Sequence, residues 1–480
     1  MTLDAATHQP MPSLRSERRH VTIDPAAVAQ LERSFRGELV RPGDADYDRH
    51  RRVWNGSIDR HPALIARSAC VSDVVAAVRF GRRTGMPVAV RSGGHSFPGL
   101  SVCDDGIVID LRSMTGLHVD REAGILRGQA GVLLGELDAA TQAHGLAVPI
   151  GAISHTGLAG LTLGGGIGWL MRKHGLTIDQ LLSMTVVTAD GRVVTASEAE
   201  NADLFWGLRG GGGNFGIVTR FAFRMAPVGP EVLGGVVFWA LDDAASVARH
   251  YRDWCADLPD DMTTALIFRR APAVELVPRD LRGRSVVAVA GCWSGPLDLG
   301  ERVLEPMRRY GRPLLDLWAR RSFVDLQSML DPSYPHGLWA YLRACDVARL
   351  SDDVLNIALE HAQRIESARS SVTIWQLGGA VGRIGPGEMA FGSRSSGHIF
   401  NITGATESID GFERERAWAR DFGAALAPYQ TGVYVNFLMD EGHERVRDAY
   451  GATRYDRLRA LKRHYDPDNF FRLNENISPA

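Results

Sequence analysis

A loop at residues 92–96 combines glycines with a single histidine. Val88 and Val90 belong to a short apolar run typical of a buried strand, and this run breaks into Ser-Gly-Gly-His-Ser. Because glycine adopts dihedrals closed to other residues, such a turn can aim successive backbone N–H groups into one concavity. That concavity is a natural seat for a phosphate or pyrophosphate. A single loop histidine such as His95 is more often an ordinary residue than a reactive one. The surrounding sequence therefore decides which role is assigned to it.

Two further glycine-rich stretches favour a ligand site. Residues 154–168 leave one side of the backbone nearly bare, because glycine recurs at positions 157, 160, 164, 165, 166 and 168. A planar ring or a pyrophosphate can then approach the peptide groups themselves. The spacing is neither the dinucleotide-binding fingerprint nor a P-loop. One such run would more simply be a turn at which helices pack, but a third run at 210–213 makes that the poorer interpretation.

The composition indicates a multidomain protein without a polyanionic partner. With 480 residues the chain exceeds what one core usually holds, so two or three domains are expected. A net charge of −2, with both signs interspersed, argues against nucleic acid and anionic membranes as partners. Five dispersed cysteines without metal spacing favour free thiols. With no signal peptide and no apolar run of about 18 residues, we expect a cytoplasmic protein without a metal site.

The first half of the chain is predicted to alternate strands and helices, with glycine loops at strand exits, as nucleotide-binding domains do. Residues 1–20 read as a disordered lead and 23–35 as a short helix. A helix capped by Ser72 and stopped at Gly85 follows. A hairpin turning at Asp190-Gly191 and an edge-like strand over 217–225 complete this part.

After Pro227 and Pro230 the composition changes, because glycine thins out and amphipathic segments take over. The order of these segments predicts an antiparallel sheet with helices on one side. The tail returns to the style of the first half, with a strand over 434–437. The other predicted elements are strands at 286–292, 371–377 and 398–403, and helices at 247–258, 352–368 and 454–465.

These motifs together resemble one family. They are Arg91-Ser-Gly-Gly-His-Ser, Ser154-His-Thr-Gly with Gly164-Gly-Gly-Ile-Gly-Trp, Asp203-Leu-Phe-Trp-Gly-Leu-Arg-Gly-Gly-Gly-Gly-Asn-Phe-Gly, Tyr434-Val-Asn-Phe and Tyr465-Asp-Pro-Asp-Asn-Phe-Phe-Arg-Leu-Asn. The family is the FAD-linked oxidases of the vanillyl-alcohol-oxidase superfamily, in the berberine-bridge-enzyme-like group. The chain is most similar to the bacterial branch, which includes the enterocin-pathway oxidase. The resemblance spans roughly residues 45–478.

The resemblance implies an α+β fold with a PCMH-type FAD-binding domain and an antiparallel-sheet substrate domain flanked by helices. The implied divisions are an N-terminal lead at 1–44, an FAD-binding domain at 45–230, a substrate domain at 231–430 and a returning C-terminal segment at 431–480. In this reading the 91–96 loop binds the FAD pyrophosphate, and His95 is bonded through a ring nitrogen to the flavin C8-methyl carbon. The implied cofactor-binding residues are Arg91, Ser92, Gly93, Gly94, His95, Ser96, Ser154, Thr156, Gly157, Gly160, Gly164, Gly165, Gly166, Gly168, Gly216, Val218, Tyr434 and Asn436.

Three positions depart from the plant members of the group. Ile153 stands where those enzymes place a second flavin-linked cysteine, so no cysteinyl link is possible here. Phe437 replaces their tyrosine base, and Asn401 replaces a glutamate of the substrate sheet. Thr156 stands where relatives place the residue that gates oxygen. The plant acid–base machinery therefore does not transfer.

The catalytic base must then lie elsewhere. Phenyl and carboxamide groups accept no proton near neutral pH. His398 is titratable, but strand alternation places it on the opposite face from Asn401. Tyr341 is one remaining candidate, as a tyrosine in the domain that covers the flavin. An acidic substrate hydroxyl losing its proton to water or to the flavin is another.

The resemblance implies an oxidase that moves a hydride from a small organic molecule, expected to be a specialised metabolite, to FAD. Oxygen would then take the electrons and give hydrogen peroxide. A sugar oxidase, a dehydrogenase that excludes oxygen and a flavin-binding protein without turnover are the alternatives. The expected partners are substrate and oxygen, in a monomer or homodimer.

Overall fold

The computed structural model describes residues 23–439 and 441–479. The predicted disordered lead at 1–20 lies outside these residues. The first layer is a sheet whose two central strands are buried on both faces, as parallel strands covered by helices are. Its elements are α1 (Pro25–Ser34), β1 (Glu38–Val40), α2 (Tyr47–Arg51), β2 (Leu64–Arg67), α3 (Val71–Thr84), β3 (Val88–Arg91) and β4 (Ile107–Asp110).

The strand order in this sheet is β1-β2-β4-β3, with β2, β4 and β3 parallel and β1 antiparallel to β2. The helix predicted over 23–35 is confirmed as α1. Helix α3 ends at Gly85 as predicted, because that residue takes a left-handed φ of 68°. It begins at Val71, however, so Ser72 is inside the helix and Cys70 precedes it in extended conformation.

The second layer is an antiparallel sheet in the order β5-β6-β10-β8-β9, beside a two-stranded pair of β7 and β11. Its elements are β5 (Leu117–Asp120), β6 (Ile125–Gln129), α4 (Leu134–Gln142), β7 (Leu146–Ala147), α5 (Leu158–Gly164), α6 (Met171–His174), β8 (Leu181–Val187), β9 (Val193–Ser197), α7 (Ala202–Leu208), β10 (Ile217–Arg224) and β11 (Ala226–Pro227).

The predicted hairpin is confirmed, since Val187 at the end of β8 pairs with Val193 at the start of β9. Strand β10 is central rather than an edge strand, because it pairs with β6 on one side and β8 on the other. Its alternation of buried Phe221 and Phe223 with exposed Arg220 and Arg224 arises from one solvated sheet face, which central antiparallel strands share with edge strands.

The third layer is a nine-stranded antiparallel sheet in the order β15-β12-β14-β13-β18-β19-β17-β20, with β16 also paired to β12. Its elements are β12 (Glu231–Ala240), α8 (Ala244–Cys255), β13 (Met262–Arg270), β14 (Ser285–Trp293), α9 (Leu297–Arg308), β15 (Leu315–Asp316), β16 (Ala319–Ser322), α10 (Phe323–Gln327), β17 (Trp339–Val347), α11 (Asp352–Gln363), β18 (Ser371–Gln376), α12 (Ala380–Arg383), β19 (His398–Thr406), α13 (Phe412–Leu426) and β20 (Gln430–Gly432).

The two faces of this sheet have different partners. Side chains such as Phe400 and Ile402 pack with α8, α9, α11 and α13 in one core. Their neighbours Ile399 and Trp375 pack into the core shared with the first two layers. The predicted sheet with helices on one side is thus confirmed, and its free face is turned towards the glycine-rich loops. Helix α11 stops at Gln363, short of the predicted end at 368.

The C-terminal part packs into the core of the first two layers through α14 (His443–Tyr450) and α15 (Ala452–Tyr465). Residues 434–437 are not a strand. The chain leaves the sheet after β20 and packs on α5 and β17, and Val435–Phe437 closes into a 3-10 turn. No helix in residues 23–439 and 441–479 combines the length and hydrophobicity needed to cross a bilayer.

Candidate cofactor cavity and active site

A deep cleft separates the free face of the nine-stranded sheet from the glycine-rich loops. Its empty volume is about 2010 Å³, the open mouth included. The residues that line its wall lie between Trp54 and Glu475 in the sequence. Among the described residues, Glu475 is the one acidic side chain on this wall, and no lysine or arginine lies on it. The predicted residues that line it are Ser92, Gly93, Gly94, His95, Ser96, Thr156, Gly157, Gly160, Gly164, Gly216, Val218, Tyr434 and Asn436.

The first two glycine loops meet backbone against backbone at Gly93 and Gly157. A Cβ placed on either glycine would overlap with the backbone nitrogen of the other. Ser92 fixes this contact from the side, because its hydroxyl donates to the carbonyl of Ala130 at 2.6 Å. The two loops therefore form one continuous surface that only glycine permits.

The cavity surface suits a phosphate and a flat ring. In residues 23–439 and 441–479, the backbone N–H groups of positions 93–96 donate to no protein acceptor. Successive free N–H groups of this kind form a seat for an anion. Gly160 has nothing within 4 Å of where its Cβ would stand, so its backbone is bare to the cavity. The residues present thus fit FAD, and the flavin would supply hydride and electron transfer.

Five of the predicted cofactor residues lie behind the wall rather than on it: Arg91, Ser154, Gly165, Gly166 and Gly168. The expectation that these five contact the cofactor stays a prediction, and in the structure they support the wall from behind. Arg91 is buried and donates to the backbone carbonyl of His50 at 2.5 Å. Burial, together with nearby Arg112, lowers the pKa of Arg91 to about 10. Its side chain braces the 92–96 loop from beneath.

The other four residues shape the second loop. Ser154 binds the carboxylate of Asp331 with its backbone N–H, at 2.9 Å, and with its hydroxyl. Gly166 takes a φ of 83° and packs on Thr177. A side chain at Gly168 would overlap with the carbonyl of Ile150. These glycines allow the loop to double back behind the cavity.

Tyr434 and Asn436 hold this loop from the returning tail. The Tyr434 hydroxyl accepts the N–H of Gly166 at 2.9 Å and the Asn436 amide at 2.8 Å. The same Asn436 amide nitrogen donates to the carbonyl of Leu161 at 3.0 Å. Burial raises the pKa of Tyr434 to about 12, so it stays a neutral hydroxyl. Both residues therefore act as braces that also line the cavity.

His95 stands in an aromatic and imidazole environment at one end of the cavity. Its ring stacks on Trp54, with centroids 5.4 Å apart and planes 23° apart. Its Nε2 lies 2.9 Å from Nδ1 of His155, and His336 closes the group from the surface. Burial, with His155 and His336 nearby, holds the pKa of His95 well below its ordinary value. His95 is therefore a neutral imidazole with a lone pair, the form that attacks an electrophilic carbon.

The sheet contributes a neutral, partly aromatic surface opposite the loops. Thr373 and Trp375 of β18 and Asn401 of β19 line the cavity. The Thr403 hydroxyl donates to Oδ1 of Asn401 at 2.8 Å, which leaves the amide N–H₂ of Asn401 for other acceptors. This surface can hold a planar or polar uncharged molecule and orient it by hydrogen bonds.

Tyr341 does not reach the cavity. It points to the helix-covered face of the sheet, where Arg420 of α13 donates to its hydroxyl at 3.4 Å. This corrects the expectation that Tyr341 is a base, since the whole sheet separates it from the cavity. His398 also faces the helices, in agreement with the predicted alternation: it pairs with Gln376, whose amide bonds the Cys255 carbonyl. Burial lowers the pKa of His398 to about 4.

The sequence reasoning missed many wall residues, and the following are examples. Trp54 carried no local motif. Leu330 and Tyr334 come from the turn between α10 and β17, which has no periodic pattern. The tail motif was recognised but not placed at the site, although Phe471, Leu473, Asn474 and the following Glu475 line the wall. Repeated asparagines in that tail were the available signal.

The tail is locked to the third glycine run by buried polar contacts. The Asn214 side chain bonds the backbone of Glu475 and Ile477, at 3.1 and 3.0 Å. The buried Lys462 ammonium donates to the carbonyls of Asn214 and Phe471, each at 2.8 Å. The far end of the cavity is thus closed by the C-terminal segment.

Two family models match the parts of the chain that build this cavity. One, described as an FAD binding domain, covers residues 62–197, and one described as berberine and berberine like covers residues 433–478. (R)-6-Hydroxynicotine oxidase of Paenarthrobacter nicotinovorans is 30% identical, with 93% of this chain and 97% of the relative aligned. The chain belongs to the berberine-bridge-enzyme-like family of FAD-linked oxidoreductases.

Structural comparison agrees with this membership. The crystal structure of 6-hydroxy-D-nicotine oxidase from Arthrobacter nicotinovorans matches this FAD-linked oxidoreductase with a TM-score of 0.84 at 29% identity, covering 93% of this chain and 99% of that one. Xylooligosaccharide oxidase of Thermothelomyces thermophilus is 27% identical, with 95% of both chains aligned. The berberine-bridge-like oxidoreductase described here therefore has the fold and the FAD dependence of its family.

Proposed function

We propose that the protein is an oxidase with FAD bonded covalently to His95 alone. One observation supports this most: a neutral, half-buried imidazole stands on the wall of a glycine-lined cavity, while the position of a second flavin-linked residue holds Ile153. The enzyme would take a hydride from a C–H or C–OH centre of a small molecule. Oxygen would receive the electrons and form hydrogen peroxide.

We propose a small uncharged metabolite as the substrate. Trp375 and Tyr334 offer aromatic surfaces, and Asn401 and Thr373 offer hydrogen bonds, without any charged group on that part of the wall. The relative named (R)-6-hydroxynicotine oxidase makes a heterocyclic compound the first candidate substrate. The same aromatic and amide surface also fits a sugar, and the xylooligosaccharide oxidase relative makes a carbohydrate the second candidate.

The test is an anaerobic screen of heterocyclic metabolites and oligosaccharides for loss of flavin absorbance. A substrate that bleaches the flavin, followed by recovery of colour and hydrogen peroxide in air, supports the oxidase. Bleaching without recovery in air indicates a dehydrogenase. A yellow protein that no member of either class bleaches would favour a flavin-binding protein without turnover.

Thr156→Leu is expected to slow reoxidation of the reduced flavin by about tenfold while sparing its reduction by substrate. Thr156 lines the cavity, and its backbone carbonyl is fixed by the N–H of Leu134 at 3.0 Å, so a longer side chain must extend into the space that oxygen uses. Stopped-flow mixing of reduced enzyme with oxygen measures this rate. Thr156→Val, which keeps the volume, serves as the control, and equal rates in the wild type and Thr156→Leu would discard the gating role.

Tyr334→Phe is expected to slow flavin reduction by about 100-fold, the usual loss when a general base is removed. Tyr334 is the tyrosine that the turn after α10 brings to the cavity wall, and we propose its hydroxyl as the base. Tyr341→Phe is the matched control, because the same atom is removed from the opposite face of the sheet. Wild-type reduction rates in Tyr334→Phe would show that substrate loses its proton to water or to the flavin.

A further inference from the structure

His155 is the closest polar neighbour of the histidine proposed to carry the flavin. Its Nδ1 lies 2.9 Å from Nε2 of His95, a hydrogen-bond distance. The backbone around His155 is fixed, because Ser154 is bound twice by Asp331. Neither His155 nor Asp331 lies on the cavity wall, so this pair acts on His95 from behind.

A hydrogen bond between two imidazoles decides where the lone pair of each one is. Only one of the two facing nitrogens can carry a proton. When Nε2–H of His95 donates to Nδ1 of His155, the free lone pair of His95 is on its Nδ1. Burial lowers the pKa of both rings, so both stay neutral and this arrangement is available at neutral pH.

We propose that His155 is a positioning residue for flavin attachment, which directs the new bond to Nδ1 of His95 and accepts the proton that Nε2 then releases. This inference rests on the proposed covalent function. The bond that forms is Nδ1 to the C8-methyl carbon, and the bond that breaks is one C–H of that methyl group. The proton of the methyl group passes to water, and the proton on Nε2 of His95 passes to Nδ1 of His155, which releases its own Nε2 proton to water. The two electrons reduce the flavin, and oxygen reoxidises it to give hydrogen peroxide.

A metal site is the competing interpretation of the group formed by His95, His155 and His336. The ligand atoms of His95, His155 and His336 all lie within 4.8 Å of one another, so three imidazoles could bind a divalent transition metal. The hydrogen-bonded pair favours the proton-transfer role, because His336 is exposed and meets the other two rings only through ring contacts of 5.1 and 5.7 Å. A metal would need His336, whereas the proposed role does not.

The experiment compares full-length His155→Ala, His155→Asn and His336→Ala with the wild type. Flavin-depleted protein is mixed with FAD in air, and the flavin that survives acid precipitation is followed with time. Non-covalent FAD affinity and the melting temperature are measured beside it. The bonded nitrogen is determined by NMR of the isolated flavin peptide, and metal content is measured before and after treatment with EDTA.

We expect attachment in His155→Ala to be roughly 100-fold slower, with FAD affinity and melting temperature close to wild type. His155→Asn should recover part of the rate and keep the Nδ1 link, because its amide oxygen can accept Nε2–H. His336→Ala should attach flavin at the wild-type rate. Wild-type rates in His155→Ala, or an Nε2 link in the wild type, would overturn the inference. Equal loss in His336→Ala together with bound metal would replace it by a metal site.

Two outcomes distinguish a failure of the His155 role from a failure of the proposed covalent FAD oxidase. Wild-type protein that binds FAD but never holds it through acid would contradict covalent attachment itself, and the role of His155 with it. Equal attachment rates in the wild type and His155→Ala would contradict the role of His155 and leave the proposed oxidase intact.

Discussion

His95→Ala is expected to hold no flavin after acid precipitation, whereas the wild type keeps its yellow colour. The reason is that His95, which lines the cavity wall, is the proposed nucleophile, and the side chain of Ile153 cannot replace it. A tryptic peptide containing His95 should carry the mass of the flavin in the wild type. The variant should still bind FAD reversibly, since the glycine loops, Tyr434 and Asn436 remain.

Turnover of His95→Ala should fall on the order of 100-fold, because a cofactor ring displaced by about 1 Å loses that much rate. The lost bond also raises electron density in the ring, which disfavours its reduction by substrate. His118→Ala, an exposed histidine on β5, is the control for loss of any imidazole. Acid-stable flavin in His95→Ala would show that another residue carries the link.

Gly157→Ala is the second large effect, and we expect it to destabilise the fold by about 3 kcal/mol. The new methyl group would overlap with the backbone nitrogen of Gly93 and with the Ser92 hydroxyl, and neither backbone can move without opening the joint between the two loops. We expect a lower melting temperature together with loss of bound FAD. Thermal unfolding monitored by circular dichroism and by flavin fluorescence measures both.

Gly160→Ala is the matched control for Gly157→Ala. Both glycines line the cavity and are three positions apart, but nothing lies within 4 Å of a Cβ at Gly160. Its melting temperature without FAD should match the wild type, while its FAD affinity should fall, because the methyl group occupies cavity space. A Gly157→Ala protein as stable as Gly160→Ala would contradict the close backbone contact.

Local patterns were sufficient for elements whose neighbours lie nearby in the chain. The Asp190-Gly191 hairpin, the stop of α3 at Gly85 and the alternation in β10 all depend on dihedrals or on one sheet face. The same alternation could not tell that β10 is central, because the strands beside it, β6 and β8, are distant in sequence. Pairing partners are a tertiary property, and alternation reports only which side is solvated.

Tyr341 and Tyr334 show the corresponding limit for the site. Tyr334 precedes β17 and Tyr341 lies in it. The sequence alone does not say on which side of the sheet an isolated tyrosine lies. Register decides this, since a shift by one residue exchanges the faces. The pairing of Tyr341 with Gly404 of β19 sets it against the helices. Asn401 and His398 were separable because both lie in one recognisable strand.

The C-terminal wall of the cavity affects when, relative to synthesis of the chain, the flavin can be loaded. Residues 471–475, which Lys462 and Asn214 tie to the third glycine run, leave the ribosome long after the 92–96 loop. Until they arrive, the cavity lacks this part of its wall, and the proposed attachment to His95 has no complete site in which to occur. We therefore expect flavin loading to follow translation, so that a nascent chain stalled before residue 471 is colourless.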